Sequence, residues 1–397
     1  MRTSLAATIV LTVFMVIGNS SNVVDASNTD SREPPTNNKL AYDAYKKGMD
    51  YLLHGNYLQN ENAIPMFERA IELDPDFGWA YVALSSSLVR HATLYGGDRL
   101  EEAWAAANKG AELEPLLPHS HDAIGVLHLA SGDIDLALVA FQRAYSLDPR
   151  HWRSAFNAAK VHLSRFEYEQ AEVLLLQTVR FAPDNVEAMT QLGFAYIRMS
   201  DVDNARHWLN AALERAPRGI QPTMLMALLE MAVGEVDKSI NHCERVQKIL
   251  PLHVSCLNLL GVNNLMAGNN SEAQKWFDMA KKIEQVSDIA ELGKAQALIA
   301  DGKANQGLEI VHEVLNRTLA EIDGSETPWE EYRTIAASYA LIGDTANALD
   351  WLERAAASGY HFYIWDAIDP ALASLHGEPR FKNVMAASGS LRASSGP

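Results

Sequence analysis

The segment GDIDLALVAFQRAYSLDP at residues 132–149 has three relatives of equal length further along the chain. They read FEYEQAEVLLLQTVRFAP (166–183), SDVDNARHWLNAALERAP (200–217) and GEVDKSINHCERVQKILP (234–251). Their closing prolines belong to a series that recurs every 34 residues, at Pro115, Pro149, Pro183, Pro217 and Pro251. A fixed period of this size predicts an array in which one supersecondary unit is repeated.

The interior of each repeat predicts two helices joined by a turn. In the repeat at 186–219, Gly193 on the first helix and Ala205 and Ala212 on the second are small. Small residues are needed where the helices cross, because a larger side chain would push the axes apart. Pro217 then ends the second helix, since proline lacks a backbone N–H. A single pair of this size buries too little apolar surface to fold alone, so the pairs must stack.

This period and layout are those of the tetratricopeptide repeat. The predicted fold is an all-α, right-handed α-solenoid of about nine repeats with a short C-terminal cap. The first helices are expected to line its inner, concave wall. The first two repeats carry insertions between their helices, the second of them RHATLYGGDRL at 90–100. No segment shows the strict alternation that predicts a β-strand.

Two stretches resemble a particular group of arrays: KLAYDAYKKGMDYLLHGN at 39–56 and YRTIAASYALIGDTANALDWLERAAASGYHFYIWDAIDPALASLHGEPRF at 332–381. Both are similar to the tetratricopeptide arrays behind bacterial class III adenylate cyclase domains and winged-helix transcriptional activators. Those arrays often end with a D-P pair and a D-P-R-F-like motif, whose counterparts here are Ile368-Asp369-Pro370 and Glu378-Pro379-Arg380-Phe381. The resemblance covers about 40–385 and implies a sensor or docking array. The cyclase and DNA-binding domains have no counterpart in this sequence, so their activities are not implied.

The first 26 residues predict a secretory signal peptide. Arg2 gives a positive start, residues 5–18 are apolar, and Val24-Asp25-Ala26 places small residues at −3 and −1 of a cleavage site. The apolar run is shorter than the ~20 residues that a spanning helix needs. The chain is therefore expected in a periplasm or outside the cell, with an uncleaved leader that anchors it to a membrane as the alternative.

The remaining boundaries follow from composition and period. Residues 27–39 predict a flexible linker, 40–318 the first eight repeats, and 319–328 a second linker. Residues 329–386 hold the last repeat and the cap, and 387–397 are a loose tail.

Composition excludes one class of partner. The chain has 397 residues, of which 48% are hydrophobic and 21% charged, so a packed interior is expected. The formal net charge is −17, and an acidic surface of this strength repels phosphate backbones. Nucleic acid is therefore not predicted as a partner.

The inward positions of two neighbouring first helices predict a carboxylate-binding clamp. Fixed cationic and amide donors suit a peptide C-terminus or an acidic side chain. Some tetratricopeptide arrays hold peptide carboxylates with Lys, Asn and Arg at comparable positions. This set resembles that clamp, although the paired asparagines of the family are not both present. The alternative is a solvated face whose cations offset nearby carboxylates. The residues are Arg153, Asn157, Lys160, Gln191, Phe194 and Arg198.

Further along, the same inward positions predict an apolar stretch of groove. A methionine-rich wall adapts to varied partners. The alternative is that some of these side chains pack against neighbouring helices. The residues are Met224, Leu228, Met231, Val262 and Met266.

No motif in the sequence predicts an enzyme. The patterns H-E-x-x-H, G-x-S-x-G and G-x-x-x-x-G-K-[ST] are absent. His119 and His121 lie two residues apart, so on a helix they point to different faces and predict no metal site. No cofactor is expected. Cys243 and Cys256 should lie on neighbouring helices, either as a disulfide or as two separately buried thiols.

The sequence therefore predicts an exported, non-enzymatic scaffold that binds an extended or helical segment of another protein in its concave groove. The alternative is an accessory sensor that binds a small ligand and signals to a membrane or envelope partner. Nothing in the sequence identifies the partner or the oligomeric state.

Overall fold

The computed structural model describes residues 35–54, 60–95, 99–322, 329–358 and 364–387. Within these ranges the chain is helical and contains no β-strand. The predicted signal peptide, most of the linker at 27–39 and nearly all of the tail at 387–397 lie outside the described residues. None of the helices in the described ranges is long and apolar enough to cross a membrane.

The chain divides after Pro183 into two compact units, which are called here the N-terminal and the C-terminal unit. In its described residues, the N-terminal unit contains four helix pairs. These are α1 (Lys39–His54) with α2 (Asn60–Leu73), α3 (Gly78–Tyr95) with α4 (Leu100–Leu113), α5 (Pro118–Ala130) with α6 (Ile134–Leu147), and α7 (Trp152–Ser164) with α8 (Tyr168–Phe181).

Where the structure describes the C-terminal unit, it contains five helix pairs and a cap. The pairs are α9 (Val186–Arg198) with α10 (Val202–Arg215), α11 (Ile220–Ala232) with α12 (Val236–Ile249), α13 (Val254–Met266) with α14 (Asn270–Ile283), α15 (Asp288–Ala300) with α16 (Ala304–Glu321), and α17 (Trp329–Ile342) with α18 (Thr345–Ala357). The cap comprises two 3₁₀ helices, Ile364–Ile368 and Pro370–Leu375, followed by α19 (Pro379–Ala387). The prediction of an all-α array of helix pairs is confirmed, and the hand of the superhelix stays a prediction.

The helices of a pair cross where the first helix carries a small residue. A Cβ added to Gly125 would lie 2.5 Å from the ring of Phe141, and one added to Gly261 would lie 2.4 Å from the ring of Phe277. Both rings are fully buried. The predicted need for small residues at the crossing is therefore confirmed, because only glycine lets each ring lie this close to the first helix.

One turn geometry joins the two helices of seven pairs. The N–H two residues after the first helix's C-cap donates back to a carbonyl of the last turn, for example from Asp133 to His128 (2.8 Å) and from Glu235 to Glu230 (2.8 Å). This Schellman arrangement needs one residue in the left-handed region. Glycine fills that place five times, with φ between 75° and 91°, and Phe166 and Ser200 fill it otherwise, each with φ of 61°.

The insertion predicted in the second repeat lengthens its first helix. Helix α3 has 18 residues and runs to Tyr95, whereas α5 has 13. Residues 90–95 of the insertion are therefore helical instead of belonging to the turn. The insertion of the first repeat falls on residues 55–59, which lie outside the described ranges.

Candidate binding surfaces

The six residues of the predicted clamp lie on two first helices in different units. Helix α7 of the N-terminal unit carries Arg153, Asn157 and Lys160, and helix α9 of the C-terminal unit carries Gln191, Phe194 and Arg198. All except Lys160 are buried. The clamp as a whole stays a prediction, and each half is described with its own unit.

In the N-terminal unit, a buried carboxylate joins two consecutive first helices. Asp122 on α5 accepts hydrogen bonds from Ser154 Oγ and from Asn157 Nδ2 on α7, each at 3.2 Å. His151 Nδ1 lies 2.6 Å from Ser154 Oγ. All four side chains are at least nine-tenths buried, and they are called here the Asp122 cluster. Asn157, a predicted ligand donor, thus already serves a carboxylate of the protein itself.

The direction of the hydrogen bonds fixes which ring nitrogen of His151 donates to Ser154. A carboxylate only accepts, so the hydroxyl hydrogen of Ser154 points to Asp122. His151 must then donate from Nδ1 to Ser154 Oγ, and in the neutral ring Nε2 carries no hydrogen. That Nε2 atom has no hydrogen-bond partner in the described part of the chain. The cluster therefore holds His151 with its hydrogen on Nδ1, beside a carboxylate that it does not touch directly.

A second histidine, His119, packs against His151. The rings of His119 and His151 meet edge to face, with centroids 4.3 Å apart. Burial holds the pKa of His119 well below its ordinary value, and the nearby His151 and Arg153 lower it further. Burial also lowers the pKa of His151, against the opposing effect of Asp122. Both rings are therefore neutral near pH 7.

The two cations of α7 lie over aromatic rings of their own helix. The Arg153 guanidinium lies 4.6 Å from the centroid of Trp152, and Lys160 Nζ lies 5.0 Å from the centroid of Phe156. Such cation–π contacts stabilise a cation without neutralising its charge. Lys160 is half-buried, so it is the cation of α7 that solvent reaches more readily.

In the C-terminal unit, α9 carries the other half of the predicted set. Gln191 is fully buried, and its amide oxygen and nitrogen have no hydrogen-bond partner among the residues that the structure describes. Phe194 and Arg198 are buried as well. An unsatisfied buried amide is costly. Helix α9 therefore carries polar capacity that the described residues do not use.

Further along this unit, a non-helical segment lies across the first helices. Residues 364–375, called here the strap, comprise the two 3₁₀ helices of the cap. The first of them packs against α11, and the second packs against α13, α15 and α17. The strap therefore occupies the face of the C-terminal unit on which the apolar groove was predicted.

Apolar packing holds one point of the strap to that face. Ile368 packs against the hydrophobic cluster that contains Leu228, Met231 and Leu259. The predicted groove residues Met224, Val262 and Met266 are partly buried against the same cluster. All five predicted groove residues thus belong to, or pack against, the same hydrophobic cluster as one strap side chain.

A single arginine binds two carboxylates of the strap. Arg333 on α17 donates from Nε to Asp366 Oδ1 at 2.7 Å and from Nη2 to Asp369. The Asp366 side chain is fully buried, and the exposed fractions of the Arg333 and Asp369 side chains are 15% and 14%. Asp369 also accepts a hydrogen bond from the N–H of Ala371 at 2.8 Å and so caps the second 3₁₀ helix. Carboxylate recognition on a first helix thus occurs in this protein, but within the chain.

The second C-terminal motif attaches α19 to α18. Arg380 donates to Asp350 at 2.7 Å and to Glu353 at 2.8 Å, while Phe381 is buried. Hydrogen bonds to the two carboxylates raise the pKa of Arg380, and the bond from Arg380 lowers the pKa of Glu353. Both motifs quoted from the resemblance therefore have structural roles, one on Arg333 and one on α18.

The clamp prediction missed the two carboxylate contacts that the structure contains. The clamp residues were chosen from positions 2, 5, 6, 9, 12 and 13 of each repeat, which are expected to face inward. Arg333 stands at position 5 of the repeat that begins at Trp329. Asp122 stands at position 5 of the repeat at 118–151. Applying the inward-position rule to every repeat would have found both residues.

The cysteines lie together as thiols. Cys256 Sγ donates to the backbone carbonyl of Cys243 at 3.1 Å, and both side chains are fully buried without a disulfide. The neighbouring Cys256 thiol and burial raise the pKa of Cys243. In the described ranges, no group of three or more His, Cys, Asp and Glu side chains is placed to hold a metal ion.

Comparison with known proteins assigns the repeat type. One tetratricopeptide-repeat family model matches residues 128–184, and a second matches residues 59–77 and 186–218. The curated relatives include the protein CTR9 homolog of Arabidopsis thaliana, which is 22% identical over 75% of this chain and 27% of its own length. Anaphase-promoting complex subunit 3 of Schizosaccharomyces pombe is 22% identical over 56% of this chain and 32% of its own length.

The chain thus spans between a quarter and a third of these relatives. Among solved structures, the APC/C hetero-tetramer Cut9-Hcn1 aligns over 84% of this chain and 57% of that chain, with a TM-score of 0.53 at 13% identity. At this identity the alignment speaks for the fold alone. Together with the helix pairs and their common turn, the matches identify the repeats of this chain as tetratricopeptide repeats.

Proposed function

We propose that this chain is an exported, non-catalytic scaffold that holds a segment of another protein on the face formed by its first helices. The observation that carries the proposal is the strap, a 3₁₀ segment that lies on this face in the C-terminal unit. A face that holds an irregular segment of its own chain has the shape and chemistry to hold one from elsewhere.

The chemistry of the held segment agrees with the predicted partner. The strap places an aliphatic side chain, Ile368, on a hydrophobic cluster. It also places two carboxylates, Asp366 and Asp369, on an arginine of a first helix. The sequence prediction called for a partner with a carboxylate and for an apolar stretch of groove. Arginine suits this task because its planar fork matches a carboxylate and keeps its charge.

Two further observations support the proposal. One relative, anaphase-promoting complex subunit 3, is by its name part of a protein assembly. The leader at 1–26 supports export to a periplasm or beyond. The resemblance of 40–385 to arrays behind adenylate cyclases and winged-helix activators supports a docking or sensor role.

Selection of peptides tests the binding function. A displayed library of random peptides is panned against the purified protein, and the affinities of the selected peptides are measured by fluorescence polarisation. Lys160→Glu with Arg198→Glu is expected to weaken binding by at least about tenfold, because the substitutions reverse the charge that attracts a carboxylate. Lys160→Glu alone, at a half-buried position, serves if the double variant does not fold.

The matched control is Lys238→Glu with Lys248→Glu on the second helix α12, where both lysines are exposed. This variant has the same net charge and should bind like the wild type. A library that yields no binders would contradict the proposed scaffold function. Equal binding by the wild type and the Lys160 and Arg198 variants would remove the clamp. Export is tested separately by fusing residues 1–40 to an alkaline phosphatase that is active only outside the cytoplasm, and an inactive fusion would contradict it.

A further inference from the structure

We infer that the strap is an exchangeable internal occupant of a docking site, and that a partner segment of the form Asp-x-Ile-Asp takes its place. The inference rests on the proposed function, for which it names the partner chemistry and a means of regulation. Its starting point is the sequence Asp366-Ala367-Ile368-Asp369, which brings one aliphatic side chain and two carboxylates to the first-helix face.

The two halves of the strap are held in different ways. Residues 370–375 are anchored in the end of the unit, because Leu372 and Leu375 are fully buried in the hydrophobic core around α17 and α18. Ser374 Oγ also donates to the carbonyl of Ala340 at 3.3 Å. Residues 366–369 instead rest on the partly buried Ile368 and on two carboxylates paired with Arg333, of which Asp366 is fully buried. The first half is thus the one suited to leave while the second half stays.

The ion pair selects the occupant more than it strengthens the hold. Removing two charges from water costs about as much as their attraction returns, so a buried pair gives little net stability. Leaving one partner behind is expensive, because a buried charge then has no counterpart. Arg333, which is mostly buried, therefore demands a carboxylate from whatever lies on it. A neutral segment would not satisfy this requirement.

The apolar surroundings add the second selective feature. Met231 belongs to the hydrophobic cluster on which Ile368 packs, and Met224 and Met266 pack against the same cluster. Methionine side chains are flexible and polarisable, so they repack around aliphatic groups of different shape. The site therefore fits an aliphatic residue next to carboxylates, without requiring the exact sequence of the strap.

Covalent attachment gives the strap an advantage over any free segment. A tethered segment acts at an effective concentration on the order of millimolar, so a free peptide of equal intrinsic affinity competes poorly. Weakening the strap removes this competition and opens the site. The strap is thus an autoinhibitory contact that a partner of the same chemistry overcomes.

A labelled peptide tests this exchange. The peptide IWDAIDPALASL, residues 364–375, carries fluorescein and is titrated with the full-length protein. Asp366→Asn with Asp369→Asn in the protein weakens the strap and leaves Arg333 intact. This variant is expected to bind the peptide at least about tenfold more tightly than the wild type does, because the internal competitor is weaker. If the double variant does not fold, Ile368→Ala weakens the strap at a partly exposed position.

Two controls make the result specific. The same peptide with both aspartates replaced by asparagine should not bind, and adding Arg333→Met to the double variant should abolish binding. Equal affinity of wild type and variant, or equal binding of both peptides, would overturn the inference. Dimers of the wild type on size-exclusion chromatography that the double substitution abolishes would also overturn it, since the occupant would then be the strap of a second copy. Peptide failure with a successful library screen removes only the strap's role, whereas failure of both removes the scaffold.

Discussion

The first helices of the two units belong to the same type of repeat, but the side chains that contact them differ. In the N-terminal unit, α5 and α7 meet through the Asp122 cluster, so their polar side chains satisfy one another. In the C-terminal unit, α11 and α13 contribute to an apolar cluster on which Ile368 of the strap packs. The glycine at the helix crossing is nevertheless the same in both units, as Gly125 and Gly261.

This difference separates two kinds of sequence position. The repeated positions, where the helices of a pair cross, set the scaffold and are interchangeable between units. The inward positions of the first helices vary. Their residues decide whether neighbouring first helices bind one another or bind another segment. The predictions below test this separation.

The largest effect is expected from Arg333→Ala in the C-terminal unit. The substitution leaves the fully buried Asp366 without its cation. Breaking one side of a buried pair should lower the free energy of unfolding of this unit by about 3–5 kcal/mol. Urea-dependent hydrogen exchange, read separately for peptides of each unit, measures the loss. Arg333→Met with Asp366→Leu should recover part of it, because the fully buried Asp366 charge is removed while Asp369, which is 14% exposed, keeps its hydrogen bond from the N–H of Ala371. A loss below about 1 kcal/mol would mean that the pairing of Arg333 with the strap contributes little to the stability of the unit.

The next effect is expected at the helix crossings and should be equal in both units. Gly125→Ala and Gly261→Ala each place a methyl group against a fully buried ring, at 2.5 Å and 2.4 Å respectively. Overpacking of this kind should cost about 3 kcal/mol in each unit, at the upper end of its usual range. Chemical denaturation of the two variants gives the comparison. Adding Phe141→Leu to Gly125→Ala should restore part of the loss, and strictly additive losses would argue against a steric cause.

A smaller effect, confined to the N-terminal unit, is expected from Asp122→Ala. Ser154 and Asn157 then lose the acceptor of two buried hydrogen bonds. The free energy of unfolding of this unit should fall by about 2 kcal/mol. Asp135→Ala on the second helix α6 is the control, because Asp135 is 91% exposed in its pair with Arg165 and should change stability by less than about 0.5 kcal/mol. Similar losses in the two variants would deny the cluster a role in joining α5 to α7.

The mildest change is expected from pH. The pKa values of His119 and His151 are lowered in the folded N-terminal unit, chiefly by burial, with Arg153, Asp122 and Asp148 nearby. Below their ordinary value of 6.5 the unfolded chain binds more protons than the folded one, so this unit should lose stability as pH falls. Amide exchange in α5 and α7, corrected for intrinsic rates between about pH 7.5 and about pH 5, follows the loss. His119→Gln should flatten the profile, and an unchanged profile would show that His119 carries no part of it.

Much of the scaffold is predictable from sequence because its determinants repeat. Proline at a period of 34 residues and small residues such as Gly193 locate the helix pairs. The turn residue is equally predictable from sequence in five pairs, where glycine takes the left-handed conformation. Phe166 and Ser200 take it as well, although their side chains do not favour it, because the surrounding helix pair imposes the turn.

The faces are less predictable because they depend on pairs of positions in different repeats. Asn157 reads as a free donor until Asp122 is placed opposite it, one repeat earlier. The strap lies outside the periodic part of the chain, so no spacing predicts which first helices it covers. Its D-P motif marked the segment as notable, but only the fold brings Asp369 to Arg333.

The strap also has a consequence for how this array is able to evolve. It packs against α11 at one end and against α17 at the other, and its carboxylates meet Arg333 on α17. Gain or loss of one helix pair between α11 and α17 would separate Ile368 from its seat while Asp366 stayed on its arginine. The strap therefore constrains the number of helix pairs between α11 and α17. Packing between adjacent pairs alone does not impose this constraint.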